Sequence, residues 1–211
     1  VPWCGHSSVV QPRFKVFGEV MKTLSCLNRV GSIAACIGIF LISGCGPALI
    51  PDRNPTGDQF PQVTGEFLTG SKATLPDQFL GNSAMYLVGY MQETQFDLDR
   101  WTMGLLEADL PSTIVEIPTI PGLVPTAISG WIDDGMRSGI PKKDWPAVIT
   151  LYGSDAHDVA TLTGTENPRN TRVLLIDDAG VVRWFWDQGF SASSLIELKG
   201  VIKNLPKQES K

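Results

Sequence analysis

Cysteine is missing from residue 46 to the end of the chain, since the only four are Cys4, Cys26, Cys36 and Cys45. That part of the chain therefore cannot form an internal disulfide bond, and it has no cysteine nucleophile and no thiolate metal site. Histidine is almost as scarce, because His157 is its only one. Thiol redox catalysis is excluded for the segment that follows Cys45.

Basic charge is also in short supply. Residues 46–211 carry 21 acidic and 13 basic side chains, a net charge of −8 with His157 neutral. This balance argues against binding nucleic acid or anionic lipid by charge. Gly-x-Ser-x-Gly, phosphate-loop and dinucleotide-binding patterns are absent as well. We therefore expect neither a nucleic-acid partner nor a cofactor.

No apolar run is long enough to cross a bilayer. The apolar core from Val30 to Ile42 is shorter than the roughly 20 residues that a transmembrane helix needs. It follows the basic residues Lys22 and Arg29, and a basic region before a short apolar core is typical of a secretory signal peptide. Met21 is a natural start for this signal, with residues 1–20 upstream of it.

The end of this signal, Ile42-Ser43-Gly44-Cys45, resembles the lipobox of bacterial lipoproteins. The resemblance implies that Cys45 carries a diacylglyceryl group and becomes the mature N-terminus; the alternative is an ordinary signal peptide or an N-terminal anchor. We expect residues 1–44 to be removed and the lipid to anchor the protein, with its domain in the periplasm. Gly46 is not the aspartate that retains enteric lipoproteins at the inner membrane, which favours the outer membrane in a host with two.

A thioredoxin-like motif near the start is not part of this protein's chemistry. Trp3-Cys4-Gly5-His6 resembles the beginning of the active-site pattern Trp-Cys-Gly-x-Cys, with Ser7 in place of the second cysteine. It precedes the signal peptide, so it is either never translated or cut away.

The rest of the chain alternates between strand and helix patterns. Residues 45–58 are rich in proline and glycine and predict a flexible or extended tether, followed by a domain over 59–211. Apolar runs predict strands over 84–90, 113–117, 147–152, 172–176 and 181–186. Helices are predicted over 96–108, within 125–140, from an N-cap at Ser154, and over 193–205. This order predicts a layered α/β domain.

Two long stretches carry a resemblance to thioredoxin-like and peroxiredoxin-like proteins. "TRVLLIDDAGVVRWFWDQGFSASSLIELKGVI" is similar to their final hairpin and helix, and "FPQVTGEFLTGSKATLPDQFLGNSAMYLVGY" to their entry. The resemblance covers residues 59–205 and implies a thioredoxin-like, three-layer α/β/α fold with a mixed central sheet.

A narrower resemblance is carried by "YLVGYMQETQFDLDRW", "GWIDDGMRSGIPKKDWPAVITLY" and "VLLIDDAGVVRW". Together they resemble the thioredoxin-like assembly-factor family of the mitochondrial ATP synthase, whose members lack the redox pair and help to assemble the membrane sector. Where redox members carry Cys-x-x-Cys, this chain has residues 92–95, Gln-Glu-Thr-Gln, and Thr171 takes the place of their cis-proline. The resemblance implies a redox-inactive protein whose partner is a protein, such as a membrane-complex subunit.

Five residues are candidates for contacting that partner. Glu93 and Gln95 lie in the loop after a central strand, where they can hold a peptide or form a solvated loop. Trp184 and Trp186 share one face of a strand, which either packs under a helix or forms a binding patch. Arg137 is a recognition residue or a surface arginine at a helix end.

Other polar residues are interpreted as ordinary surface. His157 stands among aspartates, and one histidine is too few for a metal site, which needs three or more ligands. Asp133 and Asp134 are neighbours on a helix, so they do not face each other and are expected on an exposed face. The competing function is a peroxiredoxin-like or other enzyme that uses Glu93, His157 or Asp177 in place of thiols.

Overall fold

The computed structural model describes residues 49–110, 112–122 and 126–205, with Thr126 and Ala127 as backbone only. The predicted signal peptide, the predicted lipidation site Cys45 and the early Trp-Cys-Gly-His motif lie outside the described residues. Within the described ranges, no helix combines the length and the apolar character that crossing a membrane requires.

Seven strands within the described residues form one mixed sheet in the order β2-β1-β5-β4-β3-β6-β7. β4 is parallel to both β3 and β5, and the other neighbouring strands are antiparallel. The strands are β1 (Val63–Phe67), β2 (Lys72–Leu75), β3 (Ala84–Gly89), β4 (Thr113–Pro121), β5 (Ile149–Tyr152), β6 (Arg172–Ile176) and β7 (Val182–Trp186). In the described part of the chain, four α-helices accompany them: α1 (Gln95–Glu107), α2 (Thr126–Gly139), α3 (Gly153–Thr163) and α4 (Ala192–Lys203).

The two faces of β3 belong to two different cores. Tyr86 and Val88 pack with α3 residues such as Val159, whereas Met85 and Leu87 pack with residues of α1 and α4. Because successive side chains of a strand point to opposite faces, a central strand between helical layers must be apolar throughout. The sheet is therefore the middle of three layers, and the predicted α/β/α arrangement is confirmed.

β4 is longer than the sequence pattern predicts. The predicted strand ends at Ile117, before a proline, but the observed one continues to Pro121. β4 pairs with β3 as far as Pro118, and from Thr119 it pairs with β5. The change of partner supplies hydrogen bonds beyond the first proline, which a local pattern does not reveal.

A side chain caps the start of α4 but not that of α3. Ser191 caps α4, because its Oγ accepts a hydrogen bond from the Ser194 N–H at 3.2 Å. The predicted N-cap at Ser154 is wrong: α3 begins at Gly153, and the preceding Tyr152 makes no side-chain cap.

Part of the predicted tether is fastened to the domain. We call residues 50–58 the strap. At one end, the Ile50 N–H donates to Thr165 Oγ1 at 2.9 Å, and the Thr165 N–H donates to the Ile50 carbonyl at 2.7 Å. At the other, the Gly57 N–H donates to the Val182 carbonyl at 2.8 Å, and the Val182 N–H donates to the Asp58 carbonyl at 2.9 Å. Of the two forms expected for the tether, flexible or extended, these contacts argue against the flexible one for residues 50–58.

Candidate functional site

The loop between β3 and α1 lies where the first core strand of the sheet ends. Gly89 ends β3, and a short 3-10 turn over Gln92–Thr94 leads directly into α1. Thr94 is buried and its hydroxyl donates to the Pro168 carbonyl at 2.7 Å, which fixes the turn to the loop before β6. In open α/β sheets, binding sites occur outside the carboxyl ends of parallel strands, which is where this loop is.

A cleft of about 310 Å³ opens beside this loop, between the ends of β3 and β4 and the helix α2. Most of its lining is apolar, and ligand sites of this size are typically apolar with a few convergent polar groups. The lining residues are Gly89, Tyr90, Met91, Gln92, Gln95, Glu116, Pro118, Thr119, Ile120, Ile132, Met136, Gly139 and Ile140. None of these is basic.

Of the two loop residues predicted to contact a partner, only Gln95 lines the cleft. Its side chain is half-buried, and its Nε2 donates to Asp99 Oδ1 at 2.8 Å. Glu93 is exposed in the same loop and does not line the cleft. The loop thus contributes an amide to the cleft rather than a carboxylate.

Helix α2, which forms one side of the cleft, also carries a buried carboxylate that does not line the cleft. Asp133 is only 7% exposed and accepts a hydrogen bond from the Tyr152 hydroxyl at 2.8 Å, so its prediction as part of an exposed face is wrong. Burial raises the pKa of Tyr152 above its ordinary value, and the hydrogen bond to Asp133 raises it further. Tyr152 therefore remains a protonated donor that fastens α2 to the end of β5.

Arg137 also fastens α2 to the sheet. Its Nε donates to the Leu68 carbonyl at 2.8 Å, and its Nη1 pairs with Asp134 at 2.9 Å. A quarter of the side chain is exposed, and Nη2 lies 3.8 Å from a carboxylate oxygen of Glu66. Arg137 is thus held by groups of its own chain, and its part in recognising a partner stays a prediction.

The two tryptophans of β7 lie away from the cleft, on the face covered by α1 and α4. Trp184 is 4% exposed, meets Trp101 edge to face and donates its indole N–H to Glu197 at 2.9 Å. Of the two alternatives for Trp184, the structure supports packing under helices over a binding patch, because α1 and α4 cover it. Trp186 is half-buried, stacks on Trp184 with 6.3 Å between ring centroids, and donates to the Gly189 carbonyl at 2.6 Å.

The three residues of the enzymatic alternative do not converge. Glu93 follows the carboxyl end of β3, whereas Asp177 follows that of β6, which is antiparallel to β3. Asp177 organises its own turn: it accepts from the Val181 N–H at 2.8 Å and pairs with Arg183 at 2.6 Å. His157 is exposed on α3. The part of the chain that the structure describes contains no group of three metal-binding side chains close enough to hold an ion.

Asp97 connects the elements around the loop, and sequence reasoning missed it. Its Oδ2 accepts from the Thr171 N–H at 2.9 Å, and its Oδ1 accepts from the Phe190 N–H at 2.6 Å. The one local signal was its place in the first turn of a helix, where a carboxylate is favourable. Thr171, predicted to stand where redox-active thioredoxin-like proteins have a cis-proline, is buried and held by this contact.

The α2 residues of the cleft were also missed as site residues, since an apolar helical stripe predicts only core. Ile132 and Met136 line the cleft, and the nearby Ile128 and Trp131 are 48% and 51% exposed. The apolar surface therefore extends from the cleft along α2 to solvent.

Solved structures with a similar fold include three that match over most of their length. A thiol peroxidase from Chromobacterium violaceum is 16% identical, with 72% of this chain and 90% of that chain covered and a TM-score of 0.50. Yeast Sco1 with copper bound is 11% identical, with coverages of 73% and 96% and the same TM-score of 0.50. A second structure of yeast Sco1 is 12% identical, covers 71% and 97%, and also scores 0.50.

The chain has a thioredoxin-like fold. This confirms the fold class that the sequence predicts, while identities this low carry no information about activity. No protein-family model matches the chain, and no curated protein matches it. The cleft lies at the end of β3, beside the loop whose residues 92–95 are Gln-Glu-Thr-Gln.

Proposed function

We propose that this protein is a lipid-anchored, redox-inactive thioredoxin-like factor of the bacterial envelope. It binds apolar segments of other proteins and assists the assembly of membrane or envelope complexes. The observation that carries the proposal is the apolar cleft of about 310 Å³ beside the loop at residues 92–95. The narrower resemblance to the assembly-factor family of the mitochondrial ATP synthase supports the same kind of function.

The lining of the cleft favours an uncharged, apolar occupant. Met91, Ile120 and Ile140 offer apolar surface, while Gln92 and Gln95 are neutral groups near its edge. Glu116 is the acidic residue among the described lining residues, so an anionic segment finds no complementary charge there. Two or three hydrophobic side chains of a peptide fill a cleft of this size, with the amides available to its backbone.

The cleft can be blocked by a single substitution that the fold tolerates. Gly139 lines the cleft at the end of α2, and a Cβ added there meets no heavy atom within 4 Å. Gly130 on the same helix has equally open surroundings and does not line the cleft. Gly139→Phe is expected to reduce partner binding at least tenfold, whereas Gly130→Phe leaves it unchanged.

The measurement is capture of proteins from detergent-solubilised membranes by the purified chain and both variants, followed by affinities for the captured partners. The relevant partners are those bound by the wild type and by Gly130→Phe but lost with Gly139→Phe. Equal recovery by all three proteins, with both variants folded, would rule out the cleft as the functional site. Turnover in a thiol-reductase or peroxide assay would favour the enzymatic alternative instead.

The lipid anchor rests on the sequence alone and has its own test. Cys45→Ser is expected to leave an unprocessed precursor and to abolish metabolic labelling with palmitate, because the modified thiol is gone. Fractionation of the labelled wild type then tests the proposed place in the envelope, with the outer membrane expected in a host that has two. Labelling that persists in Cys45→Ser would contradict the lipobox interpretation.

A further inference from the structure

The strap runs from one end of the sheet to the other beside β6. In the β3–β6 pairing, Arg172 lies opposite Val88, near the cleft, and Ile176 lies opposite Ala84, at the far end. Asp52 of the strap binds at Arg172, and Gly57 binds at Val182, which is paired with Ile176. The early part of the strap is therefore at the cleft end, and its late part is at the far end.

The contact at the cleft end is a buried ion pair. Arg172 has no exposed side-chain surface; its Nη2 donates to Asp52 Oδ1 at 2.9 Å, and its Nη1 donates to the Asn170 carbonyl at 3.0 Å. The guanidinium carbon lies 5.3 Å from the ring centroid of Tyr90, which lines the cleft. The side chain of Arg172 thus connects Asp52 to Tyr90, a wall residue of the cleft.

Other contacts hold the same part of the strap. The Asp52 N–H donates to Glu166 Oε2 at 3.0 Å, and the Glu166 N–H donates back to Asp52 Oδ1 at 2.8 Å. Gly164 has a φ of +77°, and a Cβ added to it would overlap the Cα of Asp52. Only a glycine at position 164, directly after α3, leaves room for the strap.

Docking of the strap decides from which end of the domain the anchor emerges. If the strap were released, the chain would leave the domain near Asp58, at the end opposite the cleft. With the strap docked, the chain leaves near Ile50, and Leu49 is 65% exposed. Cys45 precedes Asp52 by seven residues, which span at most about 25 Å when fully extended.

We propose that the strap orients the domain with its cleft toward the bilayer, so that the cleft binds an apolar segment of a membrane protein at the membrane surface. This rests on the proposed function for the lipid on Cys45 and for the apolar occupant. It adds the direction in which the site faces and narrows the partner to membrane proteins that expose such a segment next to the bilayer.

The orientation is measurable because the processed chain has no other free thiol. A cysteine is introduced at Met91, on the rim of the cleft, or at Asn82, an exposed residue before β3 at the far end, and is labelled with a fluorophore. The lipidated protein is placed in phosphatidylcholine vesicles that contain a lipid with a nitroxide headgroup. We expect quenching of the Met91→Cys label to be at least twofold stronger than that of the Asn82→Cys label.

Release of the strap should remove this difference. Asp52→Ala combined with Arg172→Met takes away both charges, so neither is left buried without its partner. In this background the quenching ratio of the two labels is expected to fall to one or to invert. Asp158→Asn, which removes an exposed carboxylate on α3, is the matched control and should keep the wild-type ratio.

Equal quenching of the two labels in the wild type, or a ratio that the double variant does not change, would overturn the proposal. Circular dichroism shows whether the double variant is folded. If it is not, the proposal is still tested by the ratio of the two labels in the wild-type background. The effect of Gly139→Phe on partner binding is measured separately, by the capture experiment. A failure of the orientation is thus distinguished from a failure of the proposed function.

Discussion

Trp184 is buried in the core, whereas the strand pattern alone left open whether its ring is covered or exposed. Its ring is enclosed by Trp101 and by α4 residues that include Leu198, and its indole N–H is bonded to Glu197. An aromatic side chain in this position stabilises the native state by removing a large apolar area from water.

Trp184→Ala is therefore expected to lower the free energy of unfolding by about 3–5 kcal/mol, since the truncation leaves a cavity in the core. Trp131→Ala is the matched control, because Trp131 is 51% exposed, and its effect should stay within about 0.5 kcal/mol. Urea unfolding of both variants measures the two values. Similar losses for the two tryptophans would contradict the packing described for β7.

At the scale of single elements, the starts of α3 and α4 provide a matched comparison. Both helices have a serine near their first residue, but only Ser191 accepts a hydrogen bond from a backbone N–H. Ser191→Ala is expected to cost about 1 kcal/mol of unfolding free energy, whereas Ser154→Ala should cost less than about 0.5 kcal/mol. Thermal or urea unfolding of the two variants is the measurement; a larger loss for Ser154→Ala would show that the helix starts are misplaced.

The junction of β1 and β5 shows why a small residue is needed within an element. A Cβ added at Gly65 would lie 2.6 Å from Ile149 Cγ2 and 2.7 Å from the Thr150 carbonyl oxygen. The second atom belongs to the backbone and cannot rotate away. The close approach brings β1 and β2 onto the parallel part of the sheet and extends it beyond β5.

On the scale of the whole molecule, all three tyrosines of the chain lie in the strands of the sheet or directly after one: Tyr86 in β3, Tyr152 at the end of β5, and Tyr90 after β3. Burial raises the pKa of Tyr86, Tyr90 and Tyr152 above their ordinary value, and near Tyr152 the carboxylate of Asp133 raises it further. The native state therefore holds the phenol protons more tightly than the unfolded chain does.

Stability should accordingly fall in alkali. The contribution of the three phenols is fully present below their ordinary pKa, about 10, and is lost as the pH rises above it, because the unfolded chain then releases protons that the native state keeps. Urea unfolding between pH 8 and pH 11 should show this decrease, and Tyr90→Phe should make it shallower. An unfolding free energy that stays constant from pH 9 to pH 11 would contradict it.

The sequence by itself determined the kinds of elements and the chemistry that is missing. The apolar run over 84–90 and the helical pattern over 193–205 correctly predicted β3 and α4, because the side-chain periods of strands and helices are local properties. The absence of cysteine after residue 45 settled that this fold carries no thiol pair. Resemblance over whole stretches then identified the thioredoxin-like fold.

Tertiary structure alone decided where the cleft is and which polar groups are buried. Its walls come from residues 89–95, 116–120 and 132–140, which meet only because β3 and β4 pair and α2 folds over their ends. The sequence around Asp133, Asp52 and Arg172 does not distinguish them from surface charges. In the structure, Asp133 accepts a hydrogen bond from Tyr152, and Asp52 pairs with Arg172, 120 positions away. A local pattern records which side chains are polar, whereas the partner that compensates a buried charge is chosen by contacts between distant segments.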